Sequence, residues 1–322
     1  MSAKIVITTE TDGSARDSHA RWLLHMIGVP LRSAVAGADV RREVFDAASA
    51  ADLFIGFELS ESGKKELNGA GRVWIDLRIA PVRFLDDIYL TFETNHDGIR
   101  KRLETYRISE TLVKYHAELI RATVLKLKKA DIVPSNTLLL IGQTERDRVV
   151  FDGKKYLTLA DRLPELGALA KPYDHVWFKP HPYAKNGRRL LRELRKGLGH
   201  VENTRENIYC LLANDGVTHV AALNSGVLHE AGHFGKEVTF LHTPTFDAAQ
   251  TGVYGDYFSS AFWADILSPV FQTVSSDLSL PFVPSRLRKT LNDFWGYNAV
   301  SDEVVLRDVL KEKIQSVMSF FR

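Results

Sequence analysis

The chain has 322 residues, with 42 Lys plus Arg against 40 Asp plus Glu and a formal charge of +2. That balance excludes a surface built to wrap nucleic acid but leaves room for a small anion held by local groups, and the length suits two cores of ordinary size. The single cysteine, Cys210, excludes an internal disulfide framework and a thiolate metal cluster, and the apolar part of MSAKIVITTETDG is too short for a signal peptide, so a cytoplasmic protein is expected.

The elements alternate as in an α/β protein. KIVIT at Lys4–Thr8 reads as a first strand, and Ser18–Ile27 as a helix with Trp22, Leu23 and Met26 on one side. Asp52–Phe57 and Arg72–Ile75 read as buried strands, each flanked by polar residues or glycine. The stretch from Ile75 to Gly98, which carries Asp76, Asp86, Asp87 and Glu93 among aromatic residues, reads as a long functional loop. A long amphipathic helix is expected over Glu104–Lys129, with Leu112, Tyr115, Leu119, Ala122 and Leu127 facing the core and Pro134 preventing its continuation. TLLLI at Thr137–Ile141, followed at once by Gly142, has the form of a central parallel strand that opens a second unit. Helices at Leu159–Leu169, Gly187–Leu198, Asn207–Ala213 and Ser225–Gly235 then alternate with strands at His175–Phe178, Val217–Ala222 and Val238–Leu241. The tail Glu303–Phe321 has helical periodicity. The expected division is residues 1–132, 133–285 and 286–322, the last being helices that pack across two Rossmann-like domains facing a central cleft.

A cleft of this kind suits a nucleotide-linked donor on one half and an acceptor on the other. The strand ends decide against the commoner nucleotide folds. The first strand opens onto TETDGSARDS and the strand TLLLI onto GQTERDR, so GxGxxG is missing at both, and GxxxxGK[ST] is absent from the chain. Phosphate would have to be met by helix N-termini and single side chains. Two segments offer these. In Lys179-Pro180-His181-Pro182 the prolines stiffen the loop that presents His181, and Lys179 can add charge. In Asn224-Ser225-Gly226 a helix begins directly after an apolar run, with Glu230 within two turns, where a carboxylate can accept from ribose hydroxyls.

His229-Glu230-Ala231-Gly232-His233 also matches the HExxH order of zinc hydrolases, but its glycine weakens the helix and nothing fixes a third ligand, so no metal is expected. Carboxylates gather at strand ends as well: Glu10 and Asp12 in the first half, Asp147 behind TLLLI in the second. A carboxylate in a dry cleft can attack an anomeric carbon or accept a proton from an incoming hydroxyl.

The ordered set Gly142-Gln143…Asp147, Lys179-Pro-His-Pro182 and Asn224-Ser225 with Glu230, together with FELS…VWIDLRIAPVRFLDD in the first half, resembles the bacterial β-Kdo transferases of capsule and O-antigen assembly. It covers most of the chain, from about Phe57 to Gly235, and is shared in part with bacterial sialyltransferases. The resemblance implies a GT-B glycosyltransferase of lipopolysaccharide or capsular polysaccharide biosynthesis that takes CMP-β-Kdo as donor and releases CMP, needing no cofactor. It implies that Lys179, His181, Asn224 and Ser225 hold the CMP moiety, that Glu230 lies near the ribose, and that Asp147 is the nucleophile of a retaining double displacement. Acid or base work toward the acceptor falls to Glu93 or Asp87. The partners implied are a saccharide or glycolipid acceptor, no nucleic acid, and peripheral association with the inner face of the membrane or a polysaccharide-assembly complex. Asn224-Ser225 stands where sialyltransferases carry two hydroxyl residues, which disfavours transfer from CMP-sialic acid. A zinc metallohydrolase using HEAGH and a non-catalytic glycan-binding module are the rivals from other classes.

Overall fold

The computed structural model describes residues 2–9, 15–127, 133–145, 148–243, 252–274, 286–291 and 300. They form two units, each with its own five-stranded sheet. The first unit takes the described residues up to Ala80, Ile88–Ser109 and those between 248 and 284. The second takes Pro81–Asp87, those from Glu110 to 247, and those beyond 285.

In the first unit β1 (Lys4–Thr9) lies between β2 (Asp39–Val44) and β3 (Leu53–Phe57), with β4 (Trp74–Ile79) and β5 (Leu90–Thr94) beyond. The order is β2-β1-β3-β4-β5, and β5 alone runs antiparallel to its neighbour. The stretch expected as one loop therefore contains the end of β4 and all of β5. Ile75, Leu77, Leu90 and Phe92 keep the apolar alternation of strands, while the charges that disguise it, Asp76 and Glu93, face each other as register partners.

Helix α1 (Ala15–Ala34) runs seven residues past the expected Ile27, through Pro30. Its buried stripe Leu23, Ile27, Leu31 and Ala34 continues across the proline, so packing against the sheet outweighs the lost backbone bond. Helices α2 (Glu61–Gly69) and α3 (Asp97–Leu103) complete the segment order.

The first helix of the second unit is α4 (Glu110–Leu127). Its buried face is Val113, Ala117, Ile120 and Val124, whereas Leu112 and Tyr115, expected to face the core, are 38% and 56% exposed. Both stripes have helical spacing, and sequence alone does not choose between them. Its sheet comprises β6 (Thr137–Ile141), β7 (His175–Lys179), β8 (Glu202–Asn203), β9 (Val217–Ala222) and β10 (Glu237–Phe240), all parallel, in the order β10-β9-β6-β7-β8. Between these strands run α5 (Leu163–Ala170), α6 (Gly187–Leu198), α7 (Ile208–Leu212) and α8 (Gly226–His233).

Every residue of β6 is buried, as a strand covered by helices on both faces requires. Its side chains Leu138 and Leu140 join Phe178, Leu166, Leu194 and Ala221 in one core. Helix α9 (Ser260–Leu267) packs on α1 and α3 in the first unit, and α10 (Arg286–Thr290) belongs to the second. The tail Glu303–Phe321, Glu10 and Asp12 lie outside the described residues.

The entry to β9 is tightly packed. A Cβ on Gly216 would stand 2.2 Å from the carbonyl oxygen of Val133 and 2.6 Å from that of Pro134. Both obstacles are backbone and cannot rotate away, so Gly216→Ala is expected to cost about 3 kcal/mol or more. A urea denaturation series should show the midpoint falling with little change of slope; an unchanged midpoint would contradict this packing.

Candidate functional site

In a parallel sheet of order β10-β9-β6-β7-β8, the chain runs from β6 outward through β7 to β8 and then crosses back to β9 and β10 on the other side of β6. The crevice at the carboxyl ends of β6 and β9 is therefore the topological switch point, where open α/β sheets take ligands. Gly142-Gln143 follows β6, Pro180-His181 follows β7, and Asn224-Ser225 follows β9.

Gln143 ties these ends together. Its Nε2 donates to the Asn224 carbonyl at 3.0 Å and its Oε1 accepts from the Asn224 amide at 2.8 Å. One primary amide thus completes a two-point backbone-like pairing where the strands part. The Asn224 side chain is buried, its Nδ2 donating to the carbonyls of Thr243 at 3.1 Å and Val149 at 3.4 Å. Gly142 donates to the Lys179 carbonyl at 2.9 Å, and a Cβ there would lie 3.2 Å from both the His181 nitrogen and the Pro180 Cα. A β-carbon there would push the two loops apart by a few tenths of an ångström.

The two phosphate candidates are built differently. Ser225 is the N-cap of α8, its hydroxyl accepting from the Val227 amide at 3.4 Å, and the positive end of the helix lies at this loop. His181 is half-buried, and its Nδ1 accepts from the Tyr183 amide at 3.2 Å. A neutral ring that accepts at Nδ1 carries its proton on Nε2. The Tyr183 ring lies tilted beside it, 5.7 Å between centroids, and is 83% exposed. Sequence reasoning passed over Tyr183, although an aromatic directly after His-Pro was there to be seen. Lys179 turns inward: its Nζ donates to the Glu206 carbonyl at 2.6 Å and the residue is 8% exposed.

Glu230 lies deeper than the ribose reading assumes, at 1% exposure. Its Oε1 accepts from the Arg83 amide at 2.6 Å and the Tyr209 hydroxyl at 2.9 Å. Burial pushes its carboxyl up to about 7, against the opposing pull of these two hydrogen bonds and of nearby Arg83 and Arg288. The other polar residues of HEAGH turn to aromatic neighbours, His229 to Phe240 and His233 to Phe84, and burial holds the His233 imidazole below its usual range. Among the described residues no three His, Cys, Asp or Glu side chains are grouped as a metal would need. Cys210 is buried in α7.

The remaining carboxylates are dispersed. Asp87 belongs to the second unit, its two oxygens accepting from the Arg288 amide at 2.9 Å and the Leu287 amide at 3.2 Å, so that it caps α10. Glu93 sits in the first unit and accepts from Lys64 Nζ at 2.5 Å. Beside it Asp76, buried, accepts from the Leu59 amide and Arg78 Nε, both at 2.9 Å, with Lys64 Nζ 3.7 Å away. Burial raises the Asp76 carboxyl to about 6 even with Arg78 and Lys64 pulling it down. Asp147 lies outside the described residues; nearby Glu145 accepts from the Asn186 amide at 2.7 Å, and amide donors hold its carboxyl below the usual range despite some desolvation.

No protein-family model matches the chain, and no curated protein matches its sequence. Among solved structures it is similar to KpsC of Thermosulfurimonas dismutans, described as a beta Kdo 2,7 transferase, with a TM-score of 0.44 and 12% identity over 82% of this chain and 90% of that one. It is also similar to the KpsC beta Kdo 2,4 transferase of the same organism, with a TM-score of 0.44 and 16% identity over 76% of this chain and 82% of that one. Among the described residues no helix is long and apolar enough to cross a membrane.

Glu230 gives the site a pH signature. Its folded carboxyl, at about 7, lies above the ordinary 4.5, so the native state binds this proton more tightly than the unfolded chain. Stability from this group is therefore present below 4.5 and declines as pH rises toward 7. Calorimetry of the wild type and Glu230→Gln across that window should show the wild type losing ground to the variant, by on the order of 3 kcal/mol at full ionisation. Parallel curves would mean that Glu230 is ionised throughout.

Proposed function

We propose that this chain is a glycosyltransferase that uses a CMP-activated ulosonic acid, Kdo, as donor and a saccharide as acceptor. The observation that carries the reading is the switch point of the second sheet, where Gly142, His181 and the Ser225-capped end of α8 stand at adjoining strand ends. Such a place suits a nucleotide phosphate, and without a glycine-rich phosphate loop the charge falls to a helix end and single donors. The ordered motifs around Gln143, His181 and Ser225 support the CMP-Kdo assignment by their resemblance to β-Kdo transferases.

In this reading Nε2 of His181 and the first turn of α8 stabilise the charge that grows on the phosphate as CMP departs. The exposed ring of Tyr183 offers the base a face to stack on. A carboxylate oxygen of Asp147 bonds to the anomeric carbon while the bond from that carbon to the phosphate oxygen breaks, the electron pair leaving with CMP. An acceptor hydroxyl then displaces Asp147, giving up its proton to a general base, and two inversions yield net retention. Glu230 serves this site from beneath, by holding α8 against Arg83 and Tyr209. Asp87 is assigned no chemical step, since both its oxygens cap α10.

Binding and chemistry are separable by experiment. CMP should raise the thermal midpoint while UDP, NAD and ATP do little, and His181→Ala should weaken CMP by roughly 10- to 100-fold, the worth of one hydrogen bond to a charged group. A shift with NAD but not CMP would sink the reading. With CMP-Kdo and no acceptor, intact mass spectrometry should find a Kdo adduct on the wild type and none on Asp147→Asn, whose CMP affinity stays near normal. An adduct on Glu145 would move the nucleophile and keep the two steps, and turnover of CMP-sialic acid alone would change the donor.

A further inference from the structure

The second sheet has a second concavity at its other edge. A crevice of about 560 Å³ opens at the amino ends of β6, β9 and β10, lined by Arg121, Asn136, Tyr173, Asp215, Thr218, Lys236 and Glu237 among others. In a parallel sheet this edge is separated from the switch point by the length of a strand, about 17 Å for five residues. Its volume falls in the range of small-ligand sites, roughly 300–1,000 Å³.

Its polar groups are of two kinds. On one side stand two cations that donate to backbone carbonyls. Lys236 is 8% exposed, its Nζ donating to the Asn214 carbonyl at 2.8 Å. Arg121, on α4, donates through Nη2 to the Phe234 carbonyl at 2.7 Å, and its Nε is buried without a hydrogen-bond acceptor. The carboxylates near Arg121 stand off, Asp215 at 3.8 Å with its side chain 93% exposed and Glu118 at 3.9 Å. Both cations lie near helix C-termini, where they offset the negative helix ends, yet the Arg121 Nε makes no hydrogen bond there, its nearest carboxylate being Glu118 at 3.9 Å. A buried N–H without an acceptor is costly, and an anion held at the guanidinium would offset part of that cost through space.

On the other side are groups suited to hydroxyls. The Glu237 carboxylate is 78% exposed, with Oε2 3.3 Å from Nδ1 of His219. The Tyr173 hydroxyl shares that same Nδ1 at 2.6 Å, which fixes the phenol ring at the wall of the crevice. Asn136, whose backbone is held at a φ of +56°, donates through Nδ2 to Asp174 and Pro172, leaving its amide oxygen as an acceptor at the rim. Thr218 adds a further oxygen.

Cations at one end, with hydroxyl partners and an aromatic ring at the other, match one class of small molecule. We propose that this crevice is a non-catalytic binding site for an acidic sugar, its carboxylate at the Arg121 guanidinium beside Lys236 and its hydroxyls toward Glu237 and Asn136. The assignment is independent of the donor chemistry at the switch point, because none of these residues lies there.

Isothermal titration of the full chain with glucuronate, glucose and inorganic phosphate tests it. Glucuronate should bind saturably, glucose at least tenfold more weakly, and phosphate more weakly than glucuronate. Arg121→Gln should weaken glucuronate by tenfold or more. Because Arg121 also bonds Phe234, Thr218→Trp is measured in parallel, filling the crevice while leaving both cations in place. Both variants should bind CMP as the wild type does, which separates failure here from failure of the transferase reading. Absence of saturable glucuronate binding would overturn the proposal, as would binding indifferent to both substitutions. Phosphate binding as tightly as glucuronate would overturn the sugar assignment.

Discussion

The second unit depends on how its sheet is held together where the strand order reverses. Parallel strands that diverge at a switch point leave unpaired backbone between them, which opens a crevice and weakens the sheet at one stroke. Gln143 resolves the conflict by offering its side-chain amide to the Asn224 backbone as if it were one more strand residue. The crevice stays, and its floor is fixed. With that floor set, Gly142 admits the Pro180-His181 loop and Ser225 begins α8 at the same edge.

Buried carboxylates anchor both units, by opposite electrostatic means. Asp76 in the first unit keeps two cations in reach, a local ion cluster that offsets part of its desolvation. Glu230 in the second accepts an amide and a phenol, and its carboxyl rises further, to about 7. The first arrangement favours the charged form and the second tolerates the neutral one. Asp76 thus ties the turn at Leu59 and Arg78 together as an ionic knot, while Glu230 works as a hydrogen-bonded peg under α8.

Much of this was legible in the residues. TLLLI, GRRLLRELRKGL and VTHVAA gave their elements to the residue, because apolar runs closed by glycine or polar turns leave little freedom in a parallel α/β layer. The strand ends bearing Gly142, His181 and Ser225 were legible for the same reason. What stayed hidden depends on partners distant in sequence. Nothing local shows that Gln143 spends its amide on Asn224, that Asp87 caps α10, or that Asp76 and Glu93 are cross-strand neighbours and not loop carboxylates. The face of α4 was misread because two stripes fit one period. Glu230 was placed by sequence near a ligand, although a carboxylate one helical turn further into the fold becomes part of its frame.

The seven residues from Pro81 to Asp87 leave the strands around them and pack with the second unit. The Arg83 amide binds Glu230, Phe84 packs on Tyr209, His233 and Phe234, and Asp87 caps α10, while Arg288 returns hydrogen bonds to the carbonyls of Arg83 and Leu85. This short piece limits how modular the gene can be. A recombination breakpoint near residue 132 would hand the descendant chain a complete second sheet but strip α8 and α10 of the segment that fastens them. Lineages exchanging halves of such proteins would have to carry this loop along, or find another partner for a buried carboxylate.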